Sequence, residues 1–191
     1  MWLTPEVLEA CYRAGAFPMV DGHGRIGFYH SDPRSILKLD ALRVSKSLAR
    51  VVRKGTYEVR VDHNFEAVIR GCAERQDTWI GAEIIRSFVR FHELGKAHSV
   101  EAYTADGELA GGLYGVALGG AFMGESMFSR GRDASKVCLV HLVERLKERG
   151  YVLLDCQIQN DHLRSLGAKE IPEEDYLKRL RTALKLHRNF V

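Results

Sequence analysis

Apolar positions recur at helical spacing in some stretches of this chain and alternate in others, so the pattern divides it before any residue is given a role. Phe65, Val68, Ile69 and Cys72 fall on one helical face, and Ile84, Ile85, Phe88 and Phe91 form a second amphipathic helix that follows Trp79 and stops at Gly95. Ser45 caps a helix that ends at Gly55, with Leu48, Val51 and Val52 on one side. Lys46, Arg50, Arg53 and Lys54 make its other side basic, and Arg43 lies just outside the cap. Upstream, Thr4 as N-cap and Pro5 at the first position open a helix. A Gly-rich loop through Asp21, Gly22, Gly24 and Gly27 follows, then a turn at Ser31-Asp32-Pro33-Arg34. Residues 56–62 alternate as a strand, and from His98 alternation dominates. Strands over 98–104, 108–118 and 121–129, joined by Asp106-Gly107 and Gly119-Gly120 turns, make an antiparallel meander. Asp133 then caps a helix over 134–149 with Gly150 behind it. A strand over 151–158, a short helix near His162, a strand over 168–171 and a helix over 173–186 complete the chain.

Meander, long helix, strand, helix, strand predicts an α+β fold with a mixed, mostly antiparallel sheet, the order found in acyltransferases of the GNAT type. The expected division is a small N-terminal lobe over 1–34 and a GNAT-like catalytic domain over 35–191, with no internal repeat. With 191 residues, 46% of them apolar and 28% charged, the chain can bury a real core. Its net charge of +3 is too small to mark a nucleic-acid binder, so any electrostatic argument rests on where charges cluster. Cys11, Cys72, Cys138 and Cys156 lie far apart in apolar stretches, which predicts reduced thiols and no structural zinc. None of the eight histidines stands at metal-ligand or triad spacing. Met1-Trp2-Leu3-Thr4-Pro5 carries no basic region ahead of an apolar run, and no stretch is long and apolar enough to span a bilayer, so a cytoplasmic place is expected.

Chemistry concentrates in Tyr151-Val-Leu-Leu-Asp-Cys-Gln157, where strand alternation puts Asp155 and Gln157 on one face of a buried strand. A buried carboxylate is costly without hydrogen-bond donors. A ligand or catalytic partner would explain it, and so would a neighbouring loop or helix N-terminus. Cys156 faces the other way and reads as packing. Glu125 stands in an equally apolar strand beside Phe122 and Met123, where it could receive a substrate's amino group or guanidinium, or form a structural bridge to Arg130. The stripe of Lys46, Arg50 and Arg53 suits RNA phosphates or is a solvated face. Trp79 is a pocket wall or a core residue.

Several ordered blocks together resemble the leucyl/phenylalanyl-tRNA–protein transferase family. They include Tyr12-Arg-Ala-Gly-Ala-Phe-Pro18, Asp32-Pro-Arg34, Val44-Ser-Lys-Ser-Leu48, Thr78-Trp-Ile80, Ala97-His-Ser-Val-Glu101 and Gly111-Gly-Leu-Tyr-Gly-Val116. Further along stand Gly124-Glu-Ser-Met-Phe-Ser-Arg130, Leu154-Asp-Cys-Gln157 and Ser165-Leu-Gly-Ala168, so the blocks span nearly the whole chain. The resemblance implies a cofactor-free, cytoplasmic aminoacyltransferase with no metal and no membrane partner. It would move Leu or Phe, and sometimes Met, from aminoacyl-tRNA to acceptor proteins beginning with Lys or Arg, marking them for the N-degron pathway. It also implies Asp155 and Gln157 as the pair at the reacting amine and Glu125 as a carboxylate shaping the same site. Trp79, Leu113 and Phe122 would form the pocket for the transferred side chain, with Leu139 and Leu142 from the following helix and Met19 at its mouth. The basic helix residues Lys46, Arg50, Arg53 and Lys54 would hold tRNA. The chain starts later than many members, and Phe28-Tyr29-His30-Ser31 stands where many carry a Trp-rich stretch, which bears on amino-acid preference. Two other functions fit the pattern: an acyl-CoA-dependent N-acetyltransferase and an inactive tRNA-binding relative. Against the first, Arg130-Gly-Arg-Asp-Ala-Ser135 lacks the glycine placement of a pyrophosphate-cradling loop.

Overall fold

The structure, a computed structural model, describes residues 3–74 and 78–191; Met1 and Trp2 of the Met1-Trp2-Leu3-Thr4-Pro5 stretch lie outside them. Thr4 accepts the Val7 N–H and opens α1 (Pro5–Arg13), whose buried side is Leu8, Cys11 and Tyr12. The glycine-bearing stretch that follows is a hairpin rather than a loop. β1 (Phe17–Val20) and β2 (Ile26–Tyr29) pair antiparallel. Asp21 Oδ1 accepts the N–H groups of His23 and Arg25 at 2.8 and 2.9 Å, so this carboxylate organises the turn between them. The expected turn at 31–34 also ends early: Arg34 begins a strand, β3 (Arg34–Leu37), in which every residue is buried.

A 3₁₀ turn over Leu39–Ala41 leads to α2 (Lys46–Arg53), where the Ser45 side chain accepts the Leu48 N–H as expected. β4 (Glu58–Val61), α3 (Phe65–Ala73) and α4 (Ala82–Glu93) follow. The meander is β5 (Ala97–Tyr103), β6 (Leu109–Leu118) and β7 (Ala121–Ser129). α5 (Ala134–Glu148), β8 (Leu153–Gln157), α6 (Asp161–Ser165), β9 (Lys169–Ile171) and α7 (Glu173–Ala183) complete the order. Asp133 does not cap α5: its φ is 58° and its side chain makes no cap bond. Its carboxylate meets Lys136 instead, and Ser129 Oγ accepts the Ser135 N–H in the first turn of the helix.

β3 through β9 form a seven-stranded sheet in the order β4-β5-β6-β7-β8-β3-β9, antiparallel except for the β7/β8 pair. This is the α+β, mostly antiparallel sheet the pattern predicts. Alternation along β6 sends Tyr114 and Val116 into a core with Phe65, Ile69, Phe88, Phe91 and Tyr176. Leu113 goes to the opposite face, with Cys138, Leu142, Leu146, Phe122 and Leu154. β7 and β8 are paired only from Ala121/Leu153 to Met123/Asp155. Beyond that point they separate, and the space between them is where the polar residues gather. Among the described residues no helix is long and apolar enough to cross a membrane.

Candidate active site

A cavity of about 500 Å³ opens where β7 and β8 part. Met19, Trp79, Leu113, Leu139 and Leu142 line it, as do Phe17, Tyr114, Leu154 and Leu163, which sequence reasoning does not place there. Phe122 does not reach it. That ring is fully buried deeper in the same apolar cluster, stacked on Phe190 with centroids 5.2 Å apart. Cys156, expected to serve packing alone, is on the cavity wall, where burial pushes its thiol up to about 12. Such a thiol is protonated at neutral pH and is not a nucleophile.

The polar end of the cavity is Glu125 and Gln157. Gln157 adopts φ 60°, a left-handed conformation, beside a register shift between Ser35 and Ile36 of the neighbouring β3. This local bend turns its side chain into the cavity. Gln157 Nε2 donates to Glu125 Oε1 at 2.5 Å, which leaves the amide carbonyl as the acceptor that the glutamine offers to a ligand. Glu125 is nine-tenths buried, and its Oε2 meets no donor in good hydrogen-bond geometry, although the Tyr12 hydroxyl lies near enough to act on the carboxyl. Burial raises its pKa to about 8, against the pull of the Tyr12 hydroxyl and the Gln157 amide. The expected bridge to Arg130 is not formed, because Arg130 pairs with Glu74 at 2.6 Å.

Asp155 occupies a different environment from the one strand alternation suggests. It is fully buried and is not part of the cavity lining. Arg34 grips it from β3, Nε to Oδ1 at 2.9 Å and Nη2 to Oδ2 at 2.6 Å. The Tyr176 hydroxyl donates to Oδ2 at 2.9 Å, and the Gln157 N–H donates to Oδ1 at 2.9 Å. Asp155 therefore controls Gln157 through its backbone, while Glu125 controls the side chain. Arg34 is itself enclosed, its guanidinium over the rings of Phe17 and Tyr176 and its Nη1 on the Gly15 carbonyl. Burial opposes its charge, and the Asp155 bonds more than offset that, so its pKa is raised. In the sequence Arg34 stands out only as the end of the Asp32-Pro-Arg34 block, two residues before the apolar Ile36-Leu37, and there it reads as the end of a turn.

Lys46, Arg50, Arg53 and Lys54 are all exposed and form no ion pair among the described residues. α2 carries them on the outside because Leu48 packs inward on Val137 and Val140 of α5. The four cysteines are free thiols. Contrary to the spacing argument, folding brings Asp62, His92 and His98 within 4.8 Å of one another. Three of the four ring nitrogens are already committed: His98 Nδ1 meets Asp62 Oδ2 at 2.6 Å, His98 Nε2 faces the Gly95 carbonyl, and His92 Nδ1 faces the Ala97 carbonyl. With Ser99 N–H donating to Asp62 Oδ1, this is a hydrogen-bond network joining β4, α4 and β5.

Residues 36–181 match the leucyl/phenylalanyl-tRNA protein transferase family, and residues 1–32 match that family's N-terminal domain. The chain belongs to the leucyl/phenylalanyl-tRNA protein transferase family. A leucyl/phenylalanyl-tRNA–protein transferase of Rubrobacter xylanophilus is 68% identical over 190 residues, 100% of each chain. One from Gloeobacter violaceus is 53% identical over 96% of this chain and 95% of its own. A solved GCN5-related N-acetyltransferase from Sphaerobacter thermophilus aligns over 88% of this chain and 54% of that one, at 16% identity and TM-score 0.41, too slight a likeness to argue from. Within this transferase family member, the cavity at the β7/β8 separation is the place with both an apolar wall and unsatisfied polar chemistry.

Proposed function

We propose that the protein transfers leucyl or phenylalanyl groups, and methionyl groups less efficiently, from aminoacyl-tRNA to the N-terminal amine of acceptor proteins that begin with Lys or Arg. Such tagging would serve the N-degron pathway. The observation that supports this most is the cavity itself, where an apolar wall large enough for a Phe side chain ends at the Gln157–Glu125 pair.

The aminoacyl ester is already activated, so transfer is an aminolysis that needs no enzyme nucleophile. The amine nitrogen bonds to the carbonyl carbon, the bond to the ribose oxygen breaks, and that oxygen leaves with a proton. The protein's task is to place a neutral amine against the ester. The Gln157 carbonyl accepts a hydrogen bond from the attacking amine and directs its lone pair. Glu125 lines the cavity, and a cation of the acceptor's first residue displaces the proton that burial holds on its carboxyl and pairs with the carboxylate. Asp155 and Arg34 act one step back as positioning residues that hold the bend at Gln157. Leu113, Leu139, Leu142 and Trp79 receive the transferred side chain. This wall separates Leu or Phe from polar amino acids well but from Met poorly, because one methylene is worth only about 1–3 kcal/mol. The exposed cations of α2 hold tRNA phosphates.

The test supplies radiolabelled Leu-tRNA or Phe-tRNA and paired acceptor proteins that differ only in a first residue of Arg or Glu. Label is expected in the Arg protein alone. Label in both would contradict the role of Glu125, and label in neither, with label incorporated from acetyl-CoA, would replace the transferase with an N-acetyltransferase.

A further inference from the structure

A second concavity, of about 410 Å³, lies on the other side of the segment that closes the acyl cavity. Arg43, Arg164 and Lys169 surround it, with Gln159, Glu170 and the backbone of Gly167 and Ala168. Ile158 and Asn160 line the acyl cavity while Gln159 between them lines this one, so the two spaces share one stretch of chain. The concavity is built rather than incidental. Gln159 is fixed at both ends, its Nε2 on the Ala168 carbonyl and its Oε1 accepting from Ser35 Oγ. The Arg43 N–H donates to the Leu166 carbonyl at 2.9 Å. Gly167, at φ 102°, passes so close to Ala41 that a Cβ would stand 2.3 Å from its carbonyl oxygen, so no other residue lets the two segments meet there.

The charges around it are poorly matched internally. Arg164 pairs with Asp161 at 2.8 Å, but Arg43 and Lys169 form no ion pair among the described residues, and Glu170 is the one acid on the rim. Arg43 also sits two residues before the Ser45 cap of α2, ahead of Lys46, Arg50 and Arg53, and the concavity it lines shares the Ile158-Gln159-Asn160 stretch with the acyl cavity. Cations without an ion pair, set against a stretch of chain that also lines the acyl cavity, fit a polyanion whose esterified end enters that cavity.

We propose that Arg43 and Lys169 form a phosphate-binding subsite for the single-stranded 3′ end of the aminoacyl-tRNA, just behind its terminal nucleoside. The proposal rests on the transferase reading above. The phosphates would run from the cavity mouth across this concavity to the basic face of α2. The cations there position the acyl ester and carry no sequence preference.

The experiment compares two donors with the wild-type protein and the Arg43→Ala/Lys169→Ala double variant: Phe-tRNA, and a 3′-phenylalanyl-adenosine that lacks phosphates. For Phe-tRNA the double variant should show KM raised roughly ten-fold with kcat nearly unchanged, and a slope of log affinity against log salt lowered by about 1 to 2. For the nucleoside donor its kinetics should equal the wild type's. An unchanged KM and salt slope for Phe-tRNA would overturn the subsite. An equal loss with both donors would overturn it too, since the defect would then lie in the acyl cavity or the fold. Wild-type protein that transfers from neither donor would refute the transferase reading, and the subsite with it.

Discussion

Arg34 and Asp155 carry full charges at zero exposure, joined by a bidentate contact and closed off by Tyr176. Removing one member leaves the other buried and uncompensated, which costs about 3–5 kcal/mol, whereas replacing both by apolar groups is far milder. Arg34→Met alone should therefore lower the free energy of unfolding in urea by that amount, and Arg34→Met with Asp155→Leu should recover most of it. A single change that costs under about 1 kcal/mol would contradict the pairing. This also changes how Asp155 is tested for function: Asp155→Ala would fail through the fold before it reported on the amine. Glu125 makes a second residue-scale prediction. Its carboxyl holds a proton up to a pH of about 8 in the fold but releases it near 4.5 when unfolded. Its contribution is then fully present below the unfolded pKa and is lost as pH rises through the folded one. The wild type is expected to lose thermal stability between pH 5 and about 8.5, and Glu125→Gln should flatten that loss; equal pH profiles would refute the raised pKa.

Among the elements, α2 shows why charge position outweighs net charge. Leu48 fastens one face to α5, and the opposite face is left with cations that have no partner among the described residues. Lys46→Ala/Arg50→Ala/Arg53→Ala should weaken tRNA binding and reduce its salt slope by about 0.7–0.9 for each phosphate that the variant no longer neutralises. Fluorescence titrations at several salt concentrations check this, and an unchanged slope would remove α2 from the interface. This helix is legible in the sequence because periodicity and the Ser45 cap agree, and the meander is legible because strands of seven to ten residues alternate over their whole length. Of the four strands of four residues, β4 is legible by its alternation, but β1, β2 and β3 are not. β1 contains Pro18 and β2 contains Gly27, which weigh against a strand. β3 is buried on both faces and so shows no alternation at all. Without β3, Arg34 stays hidden, and with it the true surroundings of Asp155. The polar end of the candidate site is legible at Gln157 and Glu125, where isolated polar residues stand in apolar strands. The family resemblance implies Phe122 in the pocket, but its ring lies deeper in the apolar cluster against Phe190, a depth that alternation along a strand does not fix.

Across the whole molecule, the candidate active cavity depends on parts brought together from both ends of the chain. Arg34 connects the N-terminal segment, through the Gly15 carbonyl and the Phe17 ring, to Asp155 of β8 and Tyr176 of α7. Gly15, at φ 84°, lies against Leu177 and Tyr176, where a Cβ would stand 2.5 Å from Leu177 Cδ2. The first helix and hairpin therefore share the support of the strand that presents Gln157, and Phe17 and Met19 supply part of the cavity wall. Gln157 is the residue on which this arrangement converges. Gln157→Asn keeps an amide and tolerates the left-handed backbone, but withdraws the carbonyl from the amine by one methylene. The deciding measurement is the rate at which label passes from Phe-tRNA to a protein beginning with Arg, for the wild type and for this variant at equal thermal stability. The account predicts robust transfer by the wild type and a loss of about 10²-fold or more in the variant, as misplacement by an ångström brings. Equal transfer by both would show that the reacting amine is held elsewhere.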